Sequence, residues 1–522
     1  MSEAAQPYTI VIGLEVHVQL LTESKLFCGC STKFGLPPNT ATCPVCIGMP
    51  GSLPVMNRRA YELAVKAALG LNCRIARFTK WDRKNYYYPD LPKGFQISQF
   101  DLPLSSDGYL EISDPKAQFE PKREEGKGDR PHLCEAPSGP FRQMGSVPFS
   151  GKRIRILRAH LEEDAGKSMH DEVSGKADSR IDLNRTGTPL LEIVSQPDMR
   201  SPAEAKAYLT ELKLLLNYLG VSDCNMQEGS LRVDANVNLH IDGPQGKIAT
   251  PIVEVKNMNS FRAVERALAY EVERQYEVWQ ETGQRQGDVP KQTRGWDEAA
   301  QVTREQRSKE ESSDYRYFPE PDLAPVTADD AMIERIRQSL GELPAQLRTR
   351  LEQTYGISAY DSEVIVNQGR DVVDYYLEVA EQSGDGKAAS NWIQQDVLRT
   401  LKERQIGIGG YPVRATELGD LIRRVRAGEL ETGRGREVLT EMVATGRPAV
   451  EVMAALGIQQ VDESELVALC QELIQANPKI VADVKEGKTK AAGALLGQAR
   501  KRNPNANMNR VREICLDLIA KT

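Results

Sequence analysis

The sequence YTIVIGLEVHVQLL, which runs from Tyr8 to Leu21, sets the architecture of the N-terminal half. Its side chains alternate between apolar and polar, as they do in a strand with one face in a core. The apolar positions are Ile10, Ile12, Leu14, Val16, Val18 and Leu20. The opposite face carries Glu15, His17 and Gln19. We therefore expect a half-buried strand that presents a carboxylate and an imidazole side by side.

Strands and amphipathic helices alternate beyond this segment. Further strand-like runs are Arg153–Leu157, Leu190–Val194, Leu231–Ile241 and Ile252–Val255. Helical patterns between them are Asn57–Leu69, Pro202–Leu219 and Phe261–Thr282. The second helix opens with Ser201 as its cap and Pro202 at its first position. We predict an α/β (α+β) domain over residues 1–295.

From Trp296 onward the character of the sequence changes. A polar segment leads into an aromatic and proline-rich loop at Ser312–Asp322, and after this loop the strand patterns disappear. Helical patterns then follow at Ala331–Ser339, Leu343–Thr354, Ser362–Glu381, Ala388–Glu403, Ala415–Ala427, Gly433–Thr445, Pro448–Leu456, Glu463–Ala476, Pro478–Lys485 and Asn509–Ala520. We predict a helical domain over residues 296–405 and a small helical tail domain over residues 406–522.

Composition and length are those of a multidomain globular protein. The 522 residues exceed what one compact core usually holds, and 40% of them are hydrophobic and 27% charged. No run of about 18 apolar residues is present, so we expect no membrane span. The N-terminal segment lacks the basic start and apolar stretch of a secretory signal. We expect a cytoplasmic protein.

The charge is distributed unevenly. The net charge of −7 does not indicate nucleic-acid binding, but Lys479–Thr522 holds ten Lys and Arg against four Asp and Glu. A basic helical segment of this kind is usually a solvated face. Contact with a nucleic-acid backbone is the alternative.

Four of the nine cysteines lie close together. Cys28 and Cys30 form one short pair, and Cys43 and Cys46 form another across a loop that contains Gly and Pro. Two thiolate pairs suit a tetrahedral ion such as zinc, whereas four unbonded loop thiols are the alternative. Four thiolates leave no open coordination position. We therefore predict a structural zinc site in the loop 28–46, which argues against a zinc hydrolase.

Acidic groups recur in three strand-like segments. Glu15 and His17 share one face, His160–Asp164 (HLEED) gathers three carboxylates and an imidazole, and Glu192 interrupts the apolar run LLEIV. A carboxylate in an apolar strand is costly unless it is paired or binds a cation. Oxygen ligands of this kind suit Mg²⁺ bound with nucleotide phosphates. Taken separately, these residues also fit surface or ion-pair positions.

Six longer phrases occur in one order along the chain. They are IGLEVHVQL (Ile12–Leu20), FCGC with CPVCIGMPGSLPVMN (within Phe27–Asn57), DRKNYYYPDLPKGFQISQ (Asp82–Gln99), HLEEDAGK (His160–Lys167), DLNRTGTPLLEIVSQPD (Asp182–Asp198) and VEVKNMNS (Val253–Ser260). Together they resemble the B subunits of aspartyl/glutamyl-tRNA amidotransferases, and the resemblance runs from about Tyr8 to the C-terminus. It implies a cradle-like catalytic domain, a helical domain and a tail similar to the YqeY family, with that similarity starting as early as residue 371.

The resemblance also implies a reaction and its partners. ATP phosphorylates the side-chain carboxylate of Glu or Asp esterified to tRNA. An amidase, the A subunit of a heterotrimer, supplies ammonia from glutamine, and a small C subunit braces the contact between the other two. This chain has no amidase signature of its own. Whether Glu-tRNA(Gln), Asp-tRNA(Asn) or both are substrates stays open.

The resemblance implies specific site residues. The Mg²⁺ and catalytic set is Glu15, His17, Glu163 and Glu192, with Glu162 and Asp164 as neighbours. The ATP or tRNA-acceptor set is Lys84, Tyr86, Tyr87, Lys93, Asn184 and Arg185, although loop packing is the alternative for the tyrosines. The tRNA contacts of the tail are Lys488, Lys490, Arg500, Lys501 and Arg502. No GxxxxGK[ST] sequence is present, so we expect a different nucleotide scaffold.

Residues 119–148 look like an insertion relative to shorter family members, and we assign no role to His132 or Cys134 within it.

Two other functions remain as alternatives. A non-catalytic RNA-binding scaffold would use only the zinc loop and the basic tail. A ligase that acts alone would need free ammonia as its nitrogen donor.

Overall fold

The computed structural model of this protein describes residues 7–113, 151–170, 179–243, 246–306, 315–458, 463–485, 492–503, 506 and 508–521. The chain forms two compact units, Met1–Ala345 and Gln346–Thr522. All described strands belong to the first unit, and the described part of the second is helical. The predicted insertion at 119–148 lies outside the described residues. A mixed sheet domain followed by a helical region confirms the predicted fold class.

The first unit is built on one large mixed sheet. Its strands, with two small pairs beside it, are β1 Tyr8–Gln19, β2 Arg74–Ile75, β3 Phe78–Thr79, β4 Asp82–Asn85, β5 Phe95–Ser98, β6 Ser105–Ser113, β7 Gly151–Glu163, β8 Lys167–His170, β9 Ser179–Asp182, β10 Pro189–Ser195, β11 Leu231–Gly243, β12 Gly246–Ala249, β13 Val253–Lys256, β14 Gln292–Asp297, β15 Val302–Glu305, β16 Phe318–Pro319 and β17 Val326–Thr327. The main path runs β15-β14-β13-β11-β1-β10-β7-β5-β4-β16. Only β13 and β14 pair in parallel among the described ladders.

Strand β1 lies in the middle of this sheet and has the predicted alternation. Ile12, Val16 and Val18 are fully buried, whereas Glu15 and His17 on the other face are half-buried. Helices α2, α3 and α4, whose bounds are given below, pack with the apolar face into the main core. One face of the sheet is therefore covered by helices, and the other presents the polar side chains.

Most of the described helices follow the predicted patterns, but the short helix Pro44–Ile47 was not predicted and two predicted helices are interrupted. The described helices are α1 Pro44–Ile47, α2 Arg58–Gly70, α3 Pro202–Tyr218, α4 Phe261–Thr282, α5 Asp330–Gln338, α6 Pro344–Tyr355, α7 Ala359–Val366, α8 Arg370–Ser383, α9 Gly386–Trp392, α10 Leu398–Arg404, α11 Ala415–Arg426, α12 Thr432–Thr445, α13 Ala449–Ala455, α14 Glu463–Ala476, α15 Pro478–Lys485, α16 Ala492–Arg502 and α17 Met508–Lys521. The helix predicted at 362–381 is two helices in the structure, because Gly369, with φ 105°, interrupts the helical conformation. A π-helical turn, Ile393–Val397, interrupts the helix predicted at 388–403.

The loss of strand patterns predicted after Asp322 is wrong at β17, which follows that residue. Strands β14, β15 and β16 lie before it and were not predicted, and β14 spans residue 295. Such short strands show little of the periodicity that predicts a strand. The segments they pair with, such as β4 and β13, are distant in the chain.

The described end of the chain has its own apolar core, formed by α14, α15, α16 and α17. None of the described helices has the length and apolar character to cross a membrane.

Candidate active site

Register across the sheet brings polar side chains from distant segments into rows. His17 of β1 lies opposite Glu192 of β10 and opposite Arg232 of β11, and Glu192 lies opposite His160 of β7. Side chains that are directly opposite on antiparallel strands lie about 5 Å apart on the same face. The three sequence segments that were predicted to share a site therefore meet on the open face of the sheet.

His17, Glu162 and Glu192 form a compact cluster at the centre of this face. The His17 Nε2 atom lies 3.6 Å from Glu162 Oε1 and 3.4 Å from Glu192 Oε2. One ligand atom from each residue lies within 4.8 Å of the other two. These separations are long for hydrogen bonds, yet short enough for all three atoms to share one ion. Among the described residues, no lysine or arginine ion-pairs with either carboxylate.

Electrostatics act in opposite directions on the two histidines and keep Glu192 ionised. Burial acts to lower the pKa of His17, but the contact with Glu192 and the charges of Glu192 and Glu162 outweigh it, so this pKa is raised. At His160 burial dominates and lowers the pKa. Burial also acts against ionisation of Glu192, but His160 and His17 hold the pKa of its carboxyl below the ordinary value. Glu192 is therefore a carboxylate at neutral pH.

The predicted metal set shares His17 and Glu192 with the cluster, whereas Glu15 and Glu163 are not among the clustered residues. Glu163 is adjacent to Glu162 on β7, so the two side chains leave opposite faces of the strand. Glu163 Oε1 accepts a hydrogen bond of 2.8 Å from the Ile97 N–H and contacts Lys93 Nζ. The structure thus places Glu162, rather than Glu163, beside His17. Lys93 is the partner of Glu163 and does not line the cavity described next.

A cavity of about 590 Å³ opens over the cluster. Sequence reasoning named some of its lining residues, including Glu15, His17, Lys84 and Glu192, and missed others. The missed residues are Ser98, Gln99, Phe100, Arg158, Asp234, Glu254, Pro290, Lys291, Thr293, Tyr315 and Tyr317. Polar–apolar alternation in LRVDANVNL on β11 carried a signal for Asp234. Phe100, Tyr315 and Tyr317 come from loops, where no periodic signal exists.

A second pocket of about 440 Å³ adjoins the first. The two share Glu15 and Lys291 as lining residues. The second is largely apolar, with polar groups that include Asn236, whose Nδ2 donates to Glu15 Oε1 at 2.9 Å. The Asn236 Oδ1 atom is buried and accepts no hydrogen bond from the described residues. The paired pockets offer an apolar compartment beside a charged one.

Asp164 organises the edge of the site instead of lining it. Its carboxylate accepts hydrogen bonds of 2.9 Å from Gln19 Nε2 and from Arg232, and Arg185 Nε lies 3.5 Å away. Burial opposes ionisation, but the charges of Arg232 and Arg185 hold the pKa of Asp164 below its usual value. Arg185 also donates to the carbonyl oxygens of Ala165 and Gly166. It therefore supports the turn after β7, away from the cavity lining.

The other predicted acceptor residues are spread over different surroundings. Lys84 lines the cavity, with Nζ 5.0 Å from the centre of the Tyr315 ring. Tyr86 packs against Tyr315 and donates from its hydroxyl to Gln96 at 3.2 Å. Tyr87 is 89% exposed. Of the predicted acceptor set, only Lys84 reaches the cavity.

The four cysteines of the predicted zinc loop converge. Cys46 Sγ lies 3.6 Å from Cys28 Sγ and 3.7 Å from Cys43 Sγ, and all four sulfurs lie within 4.8 Å of one another. Sulfurs at about 2.3 Å from one tetrahedral ion are about 3.8 Å apart. Lys25 is fully buried beside them, with Nζ 3.4 Å from Cys46 Sγ and donating to the Ala41 carbonyl at 2.7 Å. This cluster can hold a metal ion.

The cysteine loop is tied to the segment that precedes β10. Asn184 accepts a hydrogen bond of 2.8 Å from the Ala41 N–H and donates to the Pro37 carbonyl at 2.7 Å. Asn39 donates to the Ile181 carbonyl at 2.9 Å. Asn184 therefore acts in this structure as a clamp on the cysteine loop, not as a wall of the cavity.

The predicted tRNA contacts of the tail are described only in part. Lys488 and Lys490 lie outside the described residues. At the end of α16, Arg500 pairs with Glu431 at 3.2 Å and Arg502 pairs with Glu472 at 3.1 Å, while Lys501 lies between them. These pairs are largely exposed, and exposed pairs contribute little to stability. Both arginines thus remain accessible to a competing anion.

Comparison with known proteins covers nearly the whole chain. A family model of the GatB/GatE catalytic domain matches residues 10–334, and a model of the GatB domain matches residues 374–519. The chain is 57% identical over 515 residues to the B subunit of the aspartyl/glutamyl-tRNA(Asn/Gln) amidotransferase of Rhodopirellula baltica, covering 99% of this chain and 97% of that one. It is 48% identical over 495 residues to the protein of the same name from Moorella thermoacetica, with 95% and 96% covered. The chain therefore belongs to the family of aspartyl/glutamyl-tRNA(Asn/Gln) amidotransferase B subunits.

Proposed function

We propose that this chain is the tRNA-binding kinase subunit of a tRNA-dependent amidotransferase. The reaction begins with ATP and the side-chain carboxylate of Glu-tRNA(Gln), Asp-tRNA(Asn) or both. A carboxylate oxygen attacks the γ-phosphorus, the bond to the β-phosphate oxygen breaks, and ADP leaves. Ammonia then attacks the carbonyl of the acyl phosphate and expels phosphate, which gives the amide. The observation that carries this proposal is the His17–Glu162–Glu192 cluster beneath a cavity with an adjoining apolar pocket.

The cluster supports a divalent cation as the cofactor of this step. Two buried carboxylates face His17, and Glu192 also lies 3.4 Å from His160 Nε2. No described lysine or arginine is in an ion pair with either carboxylate. Such an arrangement is costly unless a cation offsets it. His17, Glu162 and Glu192 would hold Mg²⁺, which when bound offsets the repulsion between nucleotide and carboxylate and orients the phosphates. Glu15, bonded to Asn236, would lie beside it.

The two pockets support a placement for ATP. The pocket between β1 and β11 is apolar enough for a nucleoside, and the unsatisfied Asn236 Oδ1 offers an acceptor there. Lys291 and Glu15 line both pockets, so a nucleotide with its base in the second would carry its phosphates past Lys291 into the first. The attacking group is already ionised, so it needs no general base. The residues therefore serve to position two anions and to reduce their repulsion.

The cysteine loop supports a structural zinc site. Sulfur separations of 3.6 and 3.7 Å fit a tetrahedral tetrathiolate, and all four positions would be taken by protein ligands. The loop is clamped by Asn184, two residues after β9, so a bound ion would stiffen the segment that leads into β10. We assign this site a role in stability and none in catalysis.

Partners follow from the chemistry of the second step. Ammonia would come from a companion amidase, the A subunit, with a small C subunit to brace the assembly. The basic end of α16, with Arg500, Lys501 and Arg502, would contact the tRNA backbone. A cytoplasmic location would follow, because aminoacylated tRNA is made and used there.

A reconstituted assay tests the proposal. The chain is combined with its A and C partners, and ATP hydrolysis is measured with Glu-tRNA(Gln), with Asp-tRNA(Asn) and with the same tRNAs uncharged. We expect turnover only with a misacylated tRNA, and amide formation when glutamine is present. ATP hydrolysis that does not depend on the aminoacyl group, or no hydrolysis with either misacylated tRNA, would support the non-catalytic scaffold instead.

A further inference from the structure

Arg158 is a positively charged residue that lines the first cavity and has no role in the proposed function. It lies on β7 two residues before His160, and hence on the same face of the sheet. Its Nε atom is buried and makes no hydrogen bond to any described residue. No described carboxylate ion-pairs with it, although the same cavity is lined by Glu15, Glu162, Glu192, Asp234 and Glu254. A guanidinium in such surroundings is poised to bind an anion that arrives with a ligand.

Strand register places Arg158 two strands away from Glu15. Arg158 lies opposite Val194 on β10, Val194 lies opposite Glu15 on β1, and Glu15 lies opposite Asp234 on β11. Strands are spaced by about 4.8 Å, so Arg158 is about 10 Å from Glu15 along this row. Glu15 and Lys291 line both pockets, whereas Arg158 lines only the first. The metal cluster begins in the next row of the sheet, where His17 lies opposite Glu192.

The wall beside Arg158 suits an aminoacyl end of RNA. Phe100 and Tyr317 stack with ring centres 3.9 Å apart, and both line the cavity. Phe100 is 47% exposed, so its ring is available to a ligand. Aromatic faces of this kind are common platforms for unpaired bases.

We infer that Arg158 binds the side-chain carboxylate of the aminoacyl group and holds it toward the metal cluster. This inference rests on the proposed function. The planar fork of an arginine matches the two oxygens of a carboxylate, and a bidentate pair fixes both distance and orientation. Nearby carboxylates repel a free Glu or Asp side chain, so the substrate needs a local positive charge to enter.

The phosphates of ATP are the competing ligand for Arg158. Two observations favour the carboxylate. The nucleoside pocket opens at the Glu15 end, and Lys291 lies on the route that the phosphates would follow. Lys84 offers a further cation within the cavity, held over the Tyr315 ring. Arg158 lines only the first pocket and is therefore left for the second substrate.

The test is a steady-state comparison in the reconstituted complex. With Arg158→Gln we expect KM for the misacylated tRNA to rise at least tenfold, which corresponds to about 1.4 kcal/mol, and KM for ATP to stay the same. For Arg158→Lys we expect a KM for the misacylated tRNA between those of the wild type and Arg158→Gln. Lysine keeps the positive charge but lacks the planar guanidinium that can bind both carboxylate oxygens. The matched control is Arg153→Gln on the same strand, where the arginine is exposed and pairs with Glu111. Thermal unfolding of each variant checks that the fold is retained.

A binding measurement separates this inference from the proposed function. Wild-type protein should bind Glu-tRNA(Gln) more tightly than the same tRNA carrying glutamine, and Arg158→Gln should abolish the difference. If the wild-type complex has no kinase activity but this preference disappears in the variant, the proposed function fails and the carboxylate site stands. A rise in KM for ATP alone, or no change in either KM and in the binding preference, would overturn the assignment of Arg158.

Discussion

His17 and Glu192 lie directly opposite each other on β1 and β10, with Nε2 3.4 Å from Oε2. The two residues are far apart in the chain, and only the register of the sheet makes them neighbours. A shift of either strand by one residue would move its own member of the pair to the apolar face and break the contact. The continuous apolar row of β1 therefore secures the geometry of the polar row behind it.

The first prediction separates Glu162 from its neighbour Glu163. Glu162→Gln should abolish the high-affinity binding of Mn²⁺, used as a paramagnetic substitute for Mg²⁺, and reduce ATP turnover at least a hundredfold, because it removes one of three ligands. Glu163→Gln should retain Mn²⁺ binding but lower the free energy of unfolding by about 3 kcal/mol, because it leaves buried Lys93 unpaired. Electron paramagnetic resonance and denaturant unfolding measure the two effects. The reverse result would restore Glu163 to the metal set.

The second prediction concerns the metal of the cysteine loop. The purified chain should contain one zinc ion, and Cys43→Ser should lose it together with several degrees of thermal stability. Elemental analysis and differential scanning calorimetry give the two values. Cys224→Ser is the control, because Cys224 is buried elsewhere and should leave the zinc content unchanged. Full stability with no bound zinc would show that the four thiols need no ion.

The third prediction concerns the buried ammonium beside the thiolates. A tetrathiolate site with one Zn²⁺ has a net charge of −2, and Lys25 Nζ lies 3.4 Å from Cys46 Sγ. Lys25→Met removes the compensating charge and should weaken zinc binding at least tenfold. Competition with a chromophoric chelator measures the affinity. Lys66→Met is a suitable control, because the Lys66 ammonium donates a hydrogen bond to the Leu219 carbonyl and neither residue belongs to the cysteine loop. Equal chelator midpoints for wild type and Lys25→Met would refute this role.

The fourth prediction is a pH dependence at the surface. Hydrogen bonds from Arg155 hold the pKa of Asp198 below its usual value of about 3.8. A depressed folded-state pKa stabilises the protein above the unfolded-state pKa, and this contribution is lost as the pH falls through the folded-state value. Asp198→Asn should therefore lower the melting temperature by the same amount from pH 7 to about pH 4, and the deficit should shrink as the pH falls further below 3.8. A deficit that stays constant below pH 3.8 as well would mean that packing, not charge, is responsible.

Local patterns were enough to predict the central strands and the long helices of the first unit. The alternation of β1 and the caps of α3 and α4 are local, because Ser201 and Ser260 accept hydrogen bonds from N–H groups three residues away. Strands β14 and β15 were not predicted, because they are short and their place in the sheet depends on β13. The choice between Glu162 and Glu163 was likewise beyond local reasoning, since both are carboxylates in one strand and only the face of β7 distinguishes them.

The amino-acid sequence alone was sufficient for the fold class, the apolar face of β1 and the convergence of four cysteines, because short-range periodicity and spacing encode them. The family followed from the resemblance of six longer motifs to known B subunits. Only the tertiary structure decided which carboxylates surround His17, that Asn184 clamps the cysteine loop, and that Arg158 faces the same cavity as Glu192. Those relationships join residues from different strands and loops. They depend on strand register and on the direction of each side chain, which follow from the packing of the whole sheet and not from any one segment.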